Sequence, residues 1–261
     1  MLLLRSALFQ ILFYSITLIY MIVLSPVMLL PQRWGWWILP FWMNTMLFLM
    51  RVVAGLKVEF RGKEHVTNGG YIVAMKHQSA WETVTLAQFF RRPTFILKRE
   101  LQWIPLFGWY TWKFGQIPIN RGKKSEALAA MMVSAKNAIA HNRQIMIFPE
   151  GTRRPVGAEP KYKYGIAHLY KELKCPVLPV AHNAGVYWPR ASFLVYPGTV
   201  VVEFLPPIEP GLAMDEFHPK LVDIIETASD RLVEEARAAG ATSPVLDRVP
   251  TPTKPTESAA G

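Results

Sequence analysis

The fold is decided by a short apolar run, Tyr71-Ile72-Val73-Ala74-Met75, which leads directly into Lys76 and His77. An apolar run of this length, uninterrupted except for the phenol of the tyrosine, is typical of a buried strand. Open α/β sheets place their ligands beyond the carboxyl ends of their strands. The strand would therefore deliver His77 into a loop above the sheet, in a good position for a general base.

Segments of strand and helix character alternate through the rest of the chain. The sequence predicts further strands at 56–60, 144–148, 177–181 and 199–205, and helices at 81–90, 125–140 and 219–239. Such alternation indicates an α/β domain, here spanning residues 54–240. Residues 241–261 are rich in Pro, Thr, Ser and Ala and have little to bury, so they are predicted to form a disordered tail.

The first 53 residues differ from the rest and predict a membrane anchor. No charged residue lies between Ser6 and Gln32, which gives the roughly 20 apolar residues that a bilayer crossing needs. A second apolar block, 34–50, begins with several tryptophans, as expected near lipid headgroups. A cleaved signal peptide is the alternative, but the run exceeds the ~7–15 apolar residues usual in one, and no small-x-small cleavage site follows.

The two apolar blocks indicate a helical hairpin whose ends face the same side of the membrane. Pro26 and Pro40 restrict a straight crossing, so the sequence allows either two spans or a dip into one leaflet. Arg33 and Arg51 close the blocks, and a basic remainder follows. By the positive-inside tendency, the following domain is predicted to lie in the cytoplasm.

Composition restricts the partners of the protein. The 29 Lys and Arg residues exceed the 19 Asp and Glu residues, and the formal charge of +10 favours nucleic acid, anionic lipid or phosphorylated substrates. Nucleic acid is disfavoured because the aromatic residues concentrate in the apolar block rather than among the basic residues. The single cysteine, Cys175, excludes an intramolecular disulfide and is predicted to be packed rather than reactive.

A histidine and a carboxylate lie five residues apart, at His77 and Glu82. On one regular helix these positions point about 140° apart, so the side chains meet only if His77 precedes the helix, with Ser79 as its N-cap. Ser79-x-x-Glu82 also matches a capping box, in which Glu82 only closes the first helical turn. The spacing alone leaves the catalytic and the structural interpretation open.

Two later segments are suited to phosphate. Phe148-Pro149-Glu150-Gly151-Thr152-Arg153 combines a glycine, which permits close backbone approach, with an arginine fork. Arg121 follows Ile117-Pro118-Ile119-Asn120, and Lys98 and Arg99 supply further cations. The alternative is a set of solvated basic residues on an ordinary surface.

Four motifs, taken in order, resemble the four blocks of the glycerolipid acyltransferase family. They are His77-x4-Glu82 and the segments 115–121, 148–153 and 177–180. The resemblance covers roughly residues 56–207, is closest to the bacterial 1-acylglycerol-3-phosphate acyltransferases, and extends to an apolar hairpin in front. The family's first block usually ends in aspartate, whereas Glu82 is one methylene longer but can still orient an imidazole.

This resemblance implies a mixed sheet flanked by helices and an acyl transfer from a coenzyme A or acyl carrier protein thioester to the sn-2 hydroxyl of lysophosphatidate. His77 would be the general base and Glu82 its orienting partner. Substrate binding would fall to Lys98, Arg121, Glu150, Gly151 and Arg153. The resemblance implies no cofactor beyond the thioester and a place at the bacterial inner membrane. The other histidines are scattered, so no metal site is expected.

Two alternatives remain open at this point. The first keeps the chemistry and changes the acceptor to another lysolipid, such as lyso-ornithine lipid. The second is a membrane-tethered protein that uses its basic face to bind anionic lipid or nucleic acid without turnover. Acceptor assays test the first alternative. Substituting His77 tests the second, because only an enzyme depends on that side chain.

Overall fold

The computed structural model describes residues 1–120 and 124–250. Its strands are β1 Leu56–Arg61, β2 Tyr71–Met75, β3 Pro93–Lys98, β4 Ile117–Ile119, β5 Gln144–Ile147, β6 Val177–His182 and β7 Gly198–Phe204. Its α-helices are α1 Leu2–Val23, α2 Ile38–Leu49, α3 Phe107–Lys113, α4 Lys124–Ala140, α5 Gly165–Leu173, α6 Ala184–Tyr187 and α7 Met214–Ala238. Strands and α-helices alternate from β3 onward, which confirms the predicted α/β class.

All the strands join one sheet in the order β1-β7-β6-β2-β5-β3-β4. Neighbouring strands are parallel except β6 and β7, which are antiparallel, so the sheet is mixed as predicted. Strand β2, whose carboxyl end leads into His77, lies at the centre of the sheet between β5 and β6. The carboxyl ends of β2, β3, β5 and β6 therefore meet at one edge of the sheet.

The two faces of the sheet pack against different partners. Successive residues of β2 alternate between them, as the pleat requires: Val73 and Met75 join a cluster with the hairpin, and Ile72 and Ala74 join a second cluster. The second cluster contains the buried sides of α4, α5 and α7. Because both faces are covered, β2 is buried along its whole length.

The amino-terminal hairpin consists of α1 and α2, joined by short 3₁₀ turns at Ser25–Leu29 and Gln32–Trp34. The segments Leu2–Val23 and Gln32–Ala54 are long and apolar enough to cross a membrane, by length and composition. The hairpin ends at Gly55, whose φ of +69° reverses the chain into β1. A Cβ at this position would lie 2.5 Å from the Arg5 guanidinium, which would have to move, and the left-handed φ itself disfavours any residue with a side chain.

The hairpin is bonded to the α/β domain near both of its ends. Near its base, Gln10 Nε2 donates to Phe193 O at 3.1 Å. Near its tip, Tyr110 Oη donates to Met21 O at 3.1 Å, and Lys113 Nζ donates to Met28 O at 2.8 Å. The 22 residues of α1 measure about 33 Å, close to the width of a seven-stranded sheet, about 29 Å. The hairpin thus lies along the domain and does not project from it.

The predicted helix at 81–90 is wrong, because the chain there forms two 3₁₀ turns, Trp81–Val84 and Leu86–Phe89. The hydroxyls of Thr83 and Thr85 donate to Ala80 O and Trp81 O at 2.6 and 2.8 Å, and so compete with the helical ladder. The other helices predicted from the sequence are present, although α7 begins at Met214, five residues before the expected 219. The sequence patterns do not predict β3, α3, α5 or α6.

The disordered tail predicted for 241–261 is wrong for its first ten residues, 241–250, and 251–261 lie outside the described residues. Leu246 is buried in the core, within a 3₁₀ turn at Leu246–Arg248. The Arg237 guanidinium donates to Leu246 O and Val249 O, both at 3.0 Å. The few apolar residues of this segment therefore suffice to pack it back onto α7.

Candidate active site

The backbone of His77 is held on both sides by the segment that follows β5. The His77 N–H donates to Glu150 Oε2 at 2.8 Å, and the Arg154 N–H donates to His77 O at 2.7 Å. This contact forms because β2 and β5 are parallel neighbours whose carboxyl ends lie together. The first and third sequence motifs are thereby joined into one loop cluster at the edge of the sheet.

The His77 imidazole and the Glu82 carboxylate form a hydrogen-bonded dyad. Nδ1 of His77 lies 2.9 Å from Oε1 of Glu82, the histidine side chain is 14% exposed, and the glutamate side chain is fully buried. The carboxylate only accepts hydrogen bonds, so the ring hydrogen resides on Nδ1. This leaves Nε2 as the nitrogen that can take up a proton, which is the arrangement of a general base with an orienting acid.

The Glu82 carboxylate also holds the loop that follows His77. It accepts hydrogen bonds from the backbone N–H groups of Gln78 and Ser79, each at 2.9 Å from Oε1. Half of the predicted capping box is therefore present, while the Ser79 hydroxyl accepts from Trp81 N at 3.1 Å instead of completing it. The structural and the catalytic interpretation of Glu82 coexist in one side chain.

The charge of Glu82 is maintained despite its burial. Burial acts to raise its pKa, but the hydrogen bonds from the His77 ring and the Ser79 N–H favour the charged form, and the pKa lies below its usual value. A carboxyl with a lowered pKa stabilises the fold above its unfolded-state pKa, and this contribution is lost as pH falls through the folded value. Glu82 is thus ionised at neutral pH, as an imidazolium partner must be.

His182, which the sequence reading set aside as one of the scattered histidines, lies directly beneath this dyad. Its Nε2–H donates to Lys76 O at 2.9 Å, and its Nδ1 accepts from Ala184 N at 3.2 Å. Complete burial lowers its pKa, so the ring is neutral, with its Nε2 3.9 Å from Glu82 Oε2. One feature of the sequence could have pointed to His182: it follows directly after the strand predicted at 177–181, as His77 follows its own strand.

Phe148 supports the His77 ring by stacking. Its ring centroid lies 4.0 Å from that of His77, with an angle of 20° between the planes. Phe95 of β3 in turn stacks on Phe148, with 6.5 Å between their ring centroids. The imidazole is therefore fixed by a ring on one face and a carboxylate at Nδ1, which limits its rotation.

A buried ionic network lies below the loop, and no local sequence pattern predicts it. Lys76 Nζ lies 3.0 Å from Glu150 Oε1 and 2.6 Å from Glu226 Oε1 on α7. The Tyr162 hydroxyl donates to Glu226 Oε1 at 2.7 Å. Lys76 and Glu226 are 150 positions apart, so no spacing argument brings them together. The network ties α7 to the loop that carries His77.

Glu150 has a different environment from the one expected of a substrate contact. It is buried, one carboxylate oxygen accepts from Lys76 Nζ, and the other accepts from His77 N. Burial raises the pKa of Glu150, with Lys76 acting in the opposite direction. The adjacent Gly151 has a φ of +68°, and a Cβ there would lie 2.9 Å from the Lys163 side chain. Both residues shape the loop that holds His77.

Two of the three predicted phosphate-binding cations lie at the edge of the sheet that carries His77. Lys98 is exposed at the carboxyl end of β3, three residues beyond the Phe95–Met146 pairing with β5. Arg153 is half-buried in the loop after β5. Arg121 lies outside the described residues. No group of His, Cys, Asp or Glu side chains suited to a metal ion occurs in the described part of the chain.

Replacing Glu82 by glutamine is expected to lower the turnover number by up to about 10⁴, because losing the charged partner of a catalytic histidine disturbs its tautomer and its protonated form. The amide oxygen of glutamine can replace Oε1, but its NH2 group would then face the Ser79 N–H that Oε2 accepts in the wild type. Glu172→Gln, at an exposed carboxylate that pairs with Lys136, is the matched control. Turnover by Glu82→Gln equal to that of the control would contradict a role for the carboxylate.

Comparison with known proteins gives a consistent picture. The sequence profile of the family described as Acyltransferase matches residues 57–183. A 1-acyl-sn-glycerol-3-phosphate acyltransferase of Pseudomonas aeruginosa is 36% identical over 211 residues, covering 81% of this chain and 80% of that protein. One of the same name from Salmonella typhimurium is 33% identical over 158 residues, covering 59% of this chain and 64% of that protein.

The fold also matches a solved structure. The crystal structure of the 1-acyl-sn-glycerophosphate acyltransferase PlsC from Thermotoga maritima aligns with a TM-score of 0.74 at 21% sequence identity. The alignment covers 89% of this chain and 99% of the other. It therefore includes part of the apolar hairpin as well as the α/β domain, and at this identity it shows a shared fold.

Proposed function

Because this chain belongs to the glycerolipid acyltransferase family, we propose that it transfers a fatty acyl chain from a thioester to the sn-2 hydroxyl of 1-acylglycerol 3-phosphate, which gives phosphatidate. The observation that carries the proposal is the 2.9 Å contact between His77 Nδ1 and the fully buried Glu82, at the carboxyl edge of the sheet. This geometry suits the activation of a hydroxyl without a covalent enzyme intermediate.

In the proposed reaction, the sn-2 oxygen attacks the thioester carbonyl as its proton moves to Nε2 of His77. Glu82 stabilises the resulting imidazolium through Nδ1. The tetrahedral intermediate then collapses, the carbon–sulfur bond breaks, and the leaving thiolate takes the proton back from His77. General-base assistance of this kind contributes about 10²–10⁴ in rate, and holding the two substrates in line adds a proximity contribution.

We assign the phosphate of the acceptor to Lys98, Arg121 and Arg153. Arginine forks bind phosphate oxygens in pairs, and a lysine adds a point charge. Glu150 and Gly151, which the family pattern places in substrate contact, act in this proposal through the loop that holds His77. The donor is coenzyme A or acyl carrier protein; both carry phosphate groups, so the basic surface suits either.

The hairpin serves in this proposal as a monotopic anchor in the cytoplasmic face of the inner membrane. Contacts with the domain near its base and its tip leave one long side exposed, including Leu3, Ile11 and Phe48. An apolar side parallel to the domain surface suits insertion into one leaflet. The lysolipid then reaches His77 from the leaflet without leaving an apolar environment.

Replacing Arg153 by alanine is expected to raise the KM for lysophosphatidate about 10- to 100-fold, because a hydrogen bond to a charged group contributes about 1.5–3 kcal/mol. The turnover number at saturation changes less, since the phosphate is distant from the reacting hydroxyl. Arg190→Ala removes an exposed arginine from another loop and is the control. Equal KM values for the two variants would remove Arg153 from the acceptor site.

An acceptor panel tests the proposed reaction. Membranes containing the protein receive lysophosphatidate, lyso-ornithine lipid or another lysophospholipid, each with acyl-coenzyme A and with acyl carrier protein thioester. The proposal predicts that lysophosphatidate gives the highest rate with at least one donor. A higher rate with another lysolipid would reassign the acceptor and keep the chemistry. The absence of product from every pair would favour a membrane-tethered binding protein without turnover.

A further inference from the structure

The short helix α3 buries its small residues and exposes its large apolar ones, the reverse of a helix on a water-facing surface. Its buried positions are Gly108 and Thr111, whereas Trp109 and Trp112, three residues apart on the other side, are 60% and 78% exposed. The preceding turn adds Trp103, which is 70% exposed. A helix that buries glycine and threonine and exposes tryptophan is matched to an apolar environment outside the protein.

This arrangement is built into the fold of the segment 99–113. The Gly108 N–H donates to Ile104 O at 2.8 Å, and a Cβ at Gly108 would lie 1.9 Å from Gln102 O, so only glycine permits this turn. The Thr111 hydroxyl donates to Gly108 O at 2.8 Å. The protein thus directs small residues inward, and the tryptophans are left on the outer side.

The exposed tryptophans are continuous with the apolar hairpin. Gln32 Nε2 donates to Lys113 O at 2.9 Å, and Lys113 Nζ donates to Met28 O at 2.8 Å, so α3 is bonded to the hairpin tip. The tip itself exposes Leu29 and Trp34. Tryptophan favours the boundary between headgroups and acyl chains, and this continuity identifies lipid as the occupant of both surfaces.

We propose that residues 99–113 form a second membrane-contacting surface, in which Trp103, Trp109 and Trp112 enter the headgroup region of the bilayer beside the hairpin. This rests on the proposed anchoring function and extends it. The segment follows Lys98 directly, so its insertion sets that cation at the depth of lipid phosphates. A lysolipid in the leaflet then meets the phosphate-binding residues without rising out of the membrane.

Fluorescent probes test the contact without reference to activity. The full-length variants Trp112→Cys, Leu29→Cys and Val133→Cys are labelled with a nitrobenzoxadiazole dye and placed in phosphatidylethanolamine–phosphatidylglycerol vesicles that contain doxyl-labelled lipid. Leu29 is 89% exposed on the hairpin, and Val133 is 71% exposed on α4, which packs on the other face of the sheet. Cys175 is buried, and burial raises the pKa of its thiol to about 11, so it does not compete for the label.

We expect the probes at positions 112 and 29 to be quenched several-fold more than the probe at 133. Quenching at 29 but not at 112 would overturn the proposal and leave the anchor intact. Quenching at neither position would overturn both. A fluorescence change at position 112 that requires added acyl carrier protein would overturn the proposal and assign the surface to that carrier. A change that depends on the density of the protein in the vesicles, and not on the doxyl lipid, would assign it to a second copy of the chain.

A kinetic arm separates this inference from the proposed reaction. The variant Trp103→Ser/Trp109→Ser/Trp112→Ser is expected to raise the KM for lysophosphatidate presented in vesicles at least fivefold. Its KM for a short-chain, monodisperse lysophosphatidate should match that of the wild type. Equal increases with both acceptors would show damage to the site itself and contradict a role in membrane contact.

Discussion

Replacing His77 by alanine is expected to lower the rate of acyl transfer by about 10²–10⁴ while the protein remains folded and bound to membranes. The ring contributes the proton-accepting Nε2, and no other described side chain contacts Glu82 closely enough to substitute for it except His182. That second histidine is buried and donates its Nε2–H to Lys76 O, so it cannot reach an acceptor hydroxyl. Turnover per membrane-bound protein is the measurement.

The fold is expected to survive the change because the two hydrogen bonds that place residue 77 use its backbone. His141→Ala, at an exposed histidine at the end of α4, is the matched control and should keep the wild-type rate. If His77→Ala kept a tenth or more of the wild-type turnover, the assignment of His77 as the base would be wrong.

Replacing Lys76 by alanine is expected to destabilise the protein by about 3–5 kcal/mol, because removing one partner of a buried ion pair leaves uncompensated charge. The Lys76 side chain is 4% exposed, and its partners Glu150 and Glu226 are 0% and 16% exposed. Without the ammonium, two carboxylates remain close to one site. Thermal unfolding in detergent measures the change.

Lys136→Ala provides the comparison for this loss of stability. Lys136 Nζ also lies 3.0 Å from a carboxylate, that of Glu172, but both side chains are about half exposed. Exposed pairs of this kind contribute about 0–1 kcal/mol. Equal unfolding temperatures for the two variants would mean that the network around Lys76 does not stabilise the loop.

The parts of the fold that sequence patterns predict are those with a local cause. β2, β5 and β6 are apolar runs of strand length, and α4 and α7 have long helical patterns, so these five elements and the α/β class follow from the sequence alone. The absence of the helix predicted at 81–90 also has a local cause, because the hydroxyls of Thr83 and Thr85 bind backbone carbonyls and favour short turns.

The candidate site likewise contains residues that meet through local spacing and residues that meet only through tertiary packing. His77 and Glu82 lie five residues apart at the end of a predicted strand, so their meeting can be anticipated. His182, Glu226 and Tyr162 reach the site through strand order and through the packing of α7, which spacing does not encode. The family resemblance implies that Glu150 contacts substrate. In the structure its buried carboxylate instead accepts hydrogen bonds from Lys76 Nζ and His77 N, which local spacing does not predict.

The most direct test is to locate the acyl chain that the protein adds. Membranes containing the wild type or His77→Ala receive 1-acyl lysophosphatidate and a thioester of a different chain length, and the product is cleaved specifically at sn-2 and analysed by mass. We expect phosphatidate with the donor chain at sn-2 from the wild type and at most about a hundredth as much from His77→Ala. Equal product from both proteins, or a donor chain elsewhere in the product, would contradict this expectation.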